Sequence, residues 1–253
     1  LSALRTLGAC IREEGGSLDC TASGLAGAEI VLSIPSVGAT ENAMLAAIGA
    51  KGVTTVSNAA REPEIVDLQA FLQKLGASVH GAGTSTVVIE GAEEPLHGCC
   101  HRILGDRIAA ATYLAAAAAS GGDIFLRDID YRHLSTVTGV LRQAGCGLVC
   151  RDDGIRLTSD GHLRAVSPIR TAPYPGFPTD AQAVLMASLL RSSGTTVFVE
   201  NIFESRYRHV PELVRMGADI RLEGRVAVVC GVDRLHAARV RAMDLRGGAA
   251  LVI

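Results

Sequence analysis

The sequence predicts an α/β protein, an α+β repeat in which one pseudo-symmetric β-α-β-α-β-β unit is used several times. The phrase Leu-Gly-Ala recurs as Leu7-Gly8-Ala9 and Leu75-Gly76-Ala77, then in altered form as Ala144-Gly145-Cys146 and Met216-Gly217-Ala218. Its glycines lie 68, 69 and 72 residues apart, and a fixed long period marks a repeated supersecondary unit. Ala-rich runs alternate with short β-branched runs, and each such pair is followed by two strand-like runs around a glycine-containing turn. Three complete copies and two broken ones fit the 253 residues. Both ends are therefore expected to be cut, and the chain to be a stretch of a longer protein.

Each part of the unit has its own reason. A helix-capping residue type stands near the start of each Ala-rich run: Thr40, Asp106, Asp180 and Asp244. The runs 41–51, 107–120 and 181–193 end at Gly52, Gly121 and Gly194, as helix C-termini often do. Short strands are expected next, at 53–56, 123–126 and 195–199. A second helix follows, with Ile65, Leu68, Leu72 and Leu75 on one stripe in the first complete copy. In the third copy the stripe is Val210, Leu213, Val214 and Met216. Pro63 and Pro211 fall in the first turn, where a missing N–H removes no hydrogen bond. The glycine of the recurring phrase stops this helix. Strand pairs close the unit at 78–80 with 86–89, 147–150 with 154–157, and 219–222 with 227–230, so that helices cover one face of a mixed sheet.

A boundary is expected near 92–105, where Ala92-Glu93-Glu94-Pro95 and Gly98 break the pattern, giving parts 1–104 and 105–253. A second irregular stretch, 159–179, contains Pro168, Pro173, Pro175 and Pro178. Four prolines forbid a helix there and predict an extended, fixed connection that delivers Asp180 to a helix start.

Composition narrows the function classes. Hydrophobic residues make up 48% of the chain, enough for an ample core, and the net charge is −2. Lys and Arg form no stripe, which argues against nucleic-acid binding through a basic surface. Five Phe, four Tyr and no Trp leave little material for base stacking. The longest apolar stretch, 108–119, is interrupted by Thr112 and is too short to span a bilayer. It reads as a buried helix, and no membrane partner is expected. Seven cysteines without framework spacing point to reduced thiols and a cytoplasmic location. Cys99-Cys100-His101 lacks a second ligand pair, as do Cys146 and Cys150, so neither a metal nor a cofactor is expected.

Three segments go beyond a generic repeat: Pro35-Ser36-Val37-Gly38-Ala39-Thr40-Glu41-Asn42, Ala59-Ala60-Arg61-Glu62-Pro63-Glu64-Ile65-Val66-Asp67, and Tyr174-Pro175-Gly176-Phe177-Pro178-Thr179-Asp180. With Phe203-Glu204-Ser205-Arg206 and Asp244-Leu245-Arg246 they resemble the UDP-N-acetylglucosamine 1-carboxyvinyltransferases, a family of enolpyruvyl transferases. The resemblance runs from end to end and keeps its order. It implies an inside-out α/β barrel, with two domains of three units each around a cleft. On this basis 1–104 is part of the UDP-sugar and cysteine-loop domain, and 105–253 is part of the second domain. The implied reaction moves the enolpyruvyl group of phosphoenolpyruvate to the 3′-hydroxyl of UDP-N-acetylglucosamine, releasing phosphate, in peptidoglycan precursor synthesis. Helix N-termini facing the cleft would attract these anionic substrates.

Residue by residue, Asp180 matches the family aspartate that contacts the acceptor hydroxyl, and a hydroxyl needs a positioned base. Without the resemblance, Asp180 reads as a helix cap; a carboxylate has lone pairs enough for both roles. Thr179, which precedes it in the same motif, is by the same resemblance a substrate-binding candidate. Ile202 matches a position whose backbone meets the UDP-sugar, and Phe203 and Arg206 follow on that loop; read blandly, they are the end of a strand and a paired arginine. Ser36, Val37 and Gly38 match a loop that touches the nucleotide, or else simply lead into a helix. Ile34 stands where some members carry a lysine, so one phosphate contact differs. Glu62 is placed beside the cleft as a second catalytic candidate, although acids favour a helix start with or without a function. Arg246 matches a cleft arginine that would pair with an anion or with Asp244. Asp106 and Arg107 match the inter-domain crossing, with a structural ion pair as the expected role, and His209 reads as a packed histidine near Arg206.

The family's lysine–asparagine pair, its Arg-Pro-X-Asp loop, its reactive-cysteine loop and a further phosphate-binding arginine fall outside 1–253. None of the seven cysteines matches the loop cysteine. The chain alone is therefore expected to be inactive, and a monomer is expected. Two alternatives stay open: a non-catalytic UDP-sugar-binding module, and a related enolpyruvyl transferase with another acceptor.

Overall fold

Alternating burial along the strands and one-sided burial along most helices build the same sandwich of sheet and helices several times. In the computed structural model, which describes residues 1–253, the chain folds as two units, Leu1–Leu104 and Gly105–Ile253.

The first unit opens with helix α1 (Ser2–Thr6) and a hairpin of β1 (Cys10–Glu14) and β2 (Ser17–Thr21). A complete copy follows: β3 (Leu25–Ala26), β4 (Glu29–Val31), α2 (Val37–Ile48), β5 (Ala50–Lys51), β6 (Val53–Ser57), α3 (Pro63–Lys74), β7 (Ser78–His80) and β8 (Thr86–Glu90). Its sheet runs β4-β6-β8-β7, parallel at the first contact and antiparallel at the others. Strands β6 and β8 alternate, burying Thr54, Val56, Val87 and Ile89, as a sheet covered on one face requires. Met44, Ala47 and Ile48 of α2 and Ile65 and Leu72 of α3 supply the covering layer.

The second unit repeats this plan twice. The first repetition is α4 (Arg107–Ser120), β9 (Gly122–Arg127), a 3-10 turn at Tyr131–Leu134, α5 (Ser135–Gln143), β10 (Gly147–Arg151) and β11 (Gly154–Ser159). The second is β12 (Ile169–Arg170), α6 (Thr179–Ser188), β13 (Thr195–Val199), α7 (Val210–Arg215), β14 (Asp219–Glu223) and β15 (Val226–Cys230), with α8 (Leu245–Val252) after it. The sheet β12-β13-β15-β14 has the same order and senses as its counterpart in the first unit. The middle sheet, β10-β11-β9, has three strands, because no strand forms ahead of α4. Residues 181–188 of α6 are all buried, which is what a helix enclosed on every side needs.

The recurring phrase is one hydrogen-bonded device. Gly8, Gly76, Gly145 and Gly217 all have φ between 96° and 110°, a region open to glycine. In the Schellman pattern, Gly76 N donates to Gln73 O and Ala77 N to Leu72 O, both at 3.0 Å, and the other three copies match. The carbonyl just before each glycine is taken by a later backbone N–H: Ala26 to Leu7, His97 to Leu75, Arg164 to Ala144 and His236 to Met216, at 2.9–3.0 Å.

Several sequence expectations need correction. Helix α2 starts at Val37, capped by Ser36 rather than Thr40, and ends at Gly49, three residues before Gly52. Thr40 lies inside the helix, donating to Ser36 O and accepting from Ala60 N. Helix α6 starts at Thr179 and ends near Leu189, short of Gly194; Asp180 lies within its first turn and makes no cap. Asp106 and Asp244 do cap, accepting from Ile108 and Ala109, and from Gly247, respectively. The proline-rich connection is extended and fixed: β12 pairs parallel with β13, Thr171 bridges Phe177, and Tyr174-Pro175 is cis.

Candidate functional site

In the second unit, the first turn of α6 gathers a charged cluster. Arg206 donates through Nη2 to Asp180 Oδ1, and Arg246 through its own Nη2 to Asp180 Oδ2 at 3.3 Å. The expected partner of Arg246 was an anion or Asp244; Asp244 instead caps α8, which brings Arg246, two residues on, to Asp180. The Arg206 guanidinium also lies 5.3 Å from the ring centroid of the half-exposed Phe203, a cation–π contact. Two arginines on one carboxylate leave guanidinium donors for a further anion beside it.

Behind this cluster stands a residue that sequence reasoning missed. Glu200 is 1% exposed, and its Oε1 accepts from the successive amides of Ile202 (2.8 Å) and Phe203 (3.0 Å). Its Oε2 accepts from the Thr179 hydroxyl at 2.9 Å. The Ile202 N–H therefore points inward, which leaves the carbonyl as the backbone group able to meet a ligand. An acid closing the run 195–200 was the available signal, since such a residue leaves a buried strand and must find donors. His209 is packed and 1% exposed; burial pulls its pKa down to about 4, only partly offset by Asp244 and the Arg206 backbone. Tyr207 is pushed up to about 12, chiefly by burial. Asp106 is occupied as a helix cap, and the Arg107 guanidinium lies 5.5 Å from the Tyr174 ring centroid.

In the first unit, Ser36 caps α2 through its hydroxyl, accepting from Ala39 N at 3.3 Å. Ser36 and Gly38 line a concavity of about 520 Å³ that also includes Ala39, Asn42, Leu32 and Ile34. Gly38 has open space where a Cβ would stand, and Val37 packs against the core, so this segment presents mainly backbone to the concavity. The Thr40–Ala60 hydrogen bond ties the loop leading to Glu62 onto α2. Glu62 is 9% exposed, makes no cap, and its Oε2 has no hydrogen-bond partner. Burial and the nearby Glu64 raise the pKa of Glu41. His101 is spent on Asp67 at 3.0 Å, and no group of three His, Cys, Asp or Glu side chains gathers in a metal-holding arrangement.

The repeated βαβαββ sandwich is the fold of the enolpyruvyl transferases, and comparison with known proteins places the chain in that class. The model of the family described as EPSP synthase (3-phosphoshikimate 1-carboxyvinyltransferase) matches residues 1–253, and the chain belongs to this family. A UDP-N-acetylglucosamine 1-carboxyvinyltransferase 2 from Caldanaerobacter subterraneus subsp. tengcongensis is 49% identical over the whole chain. The UDP-N-acetylglucosamine 1-carboxyvinyltransferase of Zymomonas mobilis is 48% identical over 255 aligned residues. The chain spans 60% and 59% of these two proteins' lengths. The crystal structure of the enolpyruvyl transferase NikO from Streptomyces tendae superposes with a TM-score of 0.86 at 26% identity, covering 99% of this chain and 62% of that one. An EPSP synthase from Acinetobacter baumannii shares the fold at a TM-score of 0.62 and 21% identity, covering 92% of this chain and 56% of that one. No helix of the chain is long and apolar enough to cross a membrane.

Proposed function

We propose that a protein carrying this chain transfers the enolpyruvyl group of phosphoenolpyruvate to the 3′-hydroxyl of UDP-N-acetylglucosamine, supplying peptidoglycan precursors in the cytoplasm. The names of relatives 46–49% identical over the whole chain support the acceptor and the carboxyvinyl group that is transferred. The structural observation that carries the reading is Asp180, held at a helix start with one arginine on each carboxylate oxygen. Seven free cysteines suit a reducing compartment.

In this reading the acceptor hydroxyl gives its proton to Asp180 as its oxygen bonds to the enol carbon, while the methylene carbon gains a proton. The tetrahedral adduct then loses a proton from the new methyl group and breaks its carbon–oxygen bond to phosphate, which leaves. Arg206 and Arg246 orient the base and offer charge to the anion; such preorganised donors act where charge develops. Within the unit 105–253 the Ile202 carbonyl and the Phe203 ring are the contacts for the nucleotide sugar, and within the unit 1–104 the Ser36–Gly38 turn at the N-terminus of α2 is the phosphate-binding candidate. Glu62, buried with an unmatched oxygen, is the second candidate for proton handling.

The test is phosphate release by a longer protein that contains residues 1–253, with both substrates present. Release that requires both phosphoenolpyruvate and UDP-N-acetylglucosamine supports the reading. Binding of the nucleotide sugar without turnover would make the protein a binding module instead, and turnover with a different acceptor alcohol would reassign the substrate.

A further inference from the structure

We propose that Glu200 is a positioning residue, whose carboxylate bolts the loop 201–206 to the first turn of α6 and so sets the distance between the Ile202 backbone and the Asp180 carboxylate. This deepens the reading above and rests on it for its catalytic consequence.

The geometry is specific. Ile202 and Phe203 lie in neither strand nor helix, so no regular ladder serves their N–H groups. Both amides converge on one oxygen of Glu200, at 2.8 and 3.0 Å. The other oxygen holds the Thr179 hydroxyl, one residue from Asp180. Arg206, at the far end of the loop, returns to the same turn through the Thr179 carbonyl (3.5 Å) and Asp180. The loop is thus fastened to α6 at its beginning and at its end. Its other ties run from Asn201 to Thr171 in the proline-rich connection, and from Asn201 O and Glu204 to Arg225 in the turn before β15; none of them reaches α6.

Energetics point the same way. A carboxylate 1% exposed is expensive unless its lone pairs are met, and three donors meet them here. Removing the carboxylate orphans two amides and a hydroxyl at once. A glutamine keeps an oxygen for both amides and turns an NH2 toward the Thr179 oxygen, so it preserves the shape of the brace. Aspartate is one methylene too short to reach all three donors. A residue that served stability alone would show its loss in unfolding, leaving the kinetic constants of the folded enzyme unchanged.

Two measurements decide it. Amide hydrogen exchange on the chain 1–253 should accelerate at Ile202 and Phe203 by about tenfold or more in Glu200→Ala, with β13 and β15 unchanged, and Glu200→Gln should recover most of that protection. In the longer protein, Glu200→Ala should lower kcat for enolpyruvyl transfer by about 10- to 100-fold with little change in KM for phosphoenolpyruvate, and Glu200→Gln should regain most of the loss. Should Glu200→Ala fail to fold, Thr179→Val removes one arm of the brace and should still lower kcat by about tenfold. Unchanged exchange at the two amides, or a folded Glu200→Ala enzyme with the wild-type kcat, overturns the proposal. A wild-type protein without transferase activity would sink the functional reading while the exchange experiment still judges the brace.

Discussion

Arg246 and Asp180, 66 residues apart in sequence, meet at 3.3 Å, and the contact joins the first turns of α6 and α8. With Arg206 on its other oxygen, the Asp180 carboxylate sets a negative charge beside two guanidiniums whose remaining donors, in the proposed reading, face a substrate anion. Replacing Asp180 with Asn should therefore separate two effects. Loss of the base lowers kcat by about 10²- to 10⁴-fold in the longer protein. Loss of the competing charge leaves KM for phosphoenolpyruvate unchanged or lower. Steady-state kinetics against both substrates check this, and a raised KM at full kcat would contradict it.

Ser36 should carry a dual cost. Its hydroxyl caps α2 by a bond of 3.3 Å, so Ser36→Ala lowers stability by about 0.5–1 kcal/mol, the lower part of the range for lost caps. Urea unfolding of the chain measures that part. Calorimetric titration of UDP-N-acetylglucosamine into the longer protein should show weaker binding, whereas Thr112→Ala, whose hydroxyl only returns to Ile108 O within α4, should leave affinity unchanged.

The glycine turns give a steric test. A Cβ on Gly217 would lie 2.9 Å from the His236 ring, at a φ of 96°. Gly217→Ala should cost about 1–3 kcal/mol, with His236→Ala in the same chain recovering part of it. Gly16→Ala, at a φ of 81° with open space around it, should cost only the backbone part, about 1–2 kcal/mol. Equal costs at the two sites, from denaturant midpoints, would remove the role of His236.

His209 predicts a pH slope. Its folded pKa, near 4, lies below the ordinary 6.5 because burial disfavours the charged ring. Above 6.5 both states are neutral and His209 contributes no slope. Between 6.5 and 4 the unfolded chain binds the proton and the folded one does not, so stability falls as pH falls, by at most about 1.4 kcal/mol per pH unit. Unfolding at pH 7.5 and pH 5 should show this loss reduced in His209→Gln. An unaltered difference between the two pH values would assign the slope elsewhere.

Local signals in the sequence were legible wherever the physics was local. Pro63 and Pro211 in first turns, Asp106 and Asp244 as caps, and the β-branched strands all depend on neighbours a few residues away. The same reasoning misplaced the start of α2, because Ser36 caps as readily as Thr40, and only the Ala60 contact, 20 residues away, shows why Thr40 is there. It made Asp180 a cap, when tertiary partners at 206 and 246 claim its oxygens. Glu200 was missed because its partners are two amides and a hydroxyl, groups that nearly every stretch of chain contains.

The turn that ends each second helix has a consequence for how the copies diverge. At all four places the joint is made of main-chain atoms, and the later residue that completes it is Ala26, His97, Arg164 or His236, with a histidine ring lying over the glycine in two of them. Apart from its glycine, a joint hydrogen-bonded through the backbone holds whether alanine, arginine or histidine completes it. One copy can therefore carry Asp180 and Glu200 while another spends the same architecture on plain packing. Chemistry here can be rewritten without redrawing the frame that holds it.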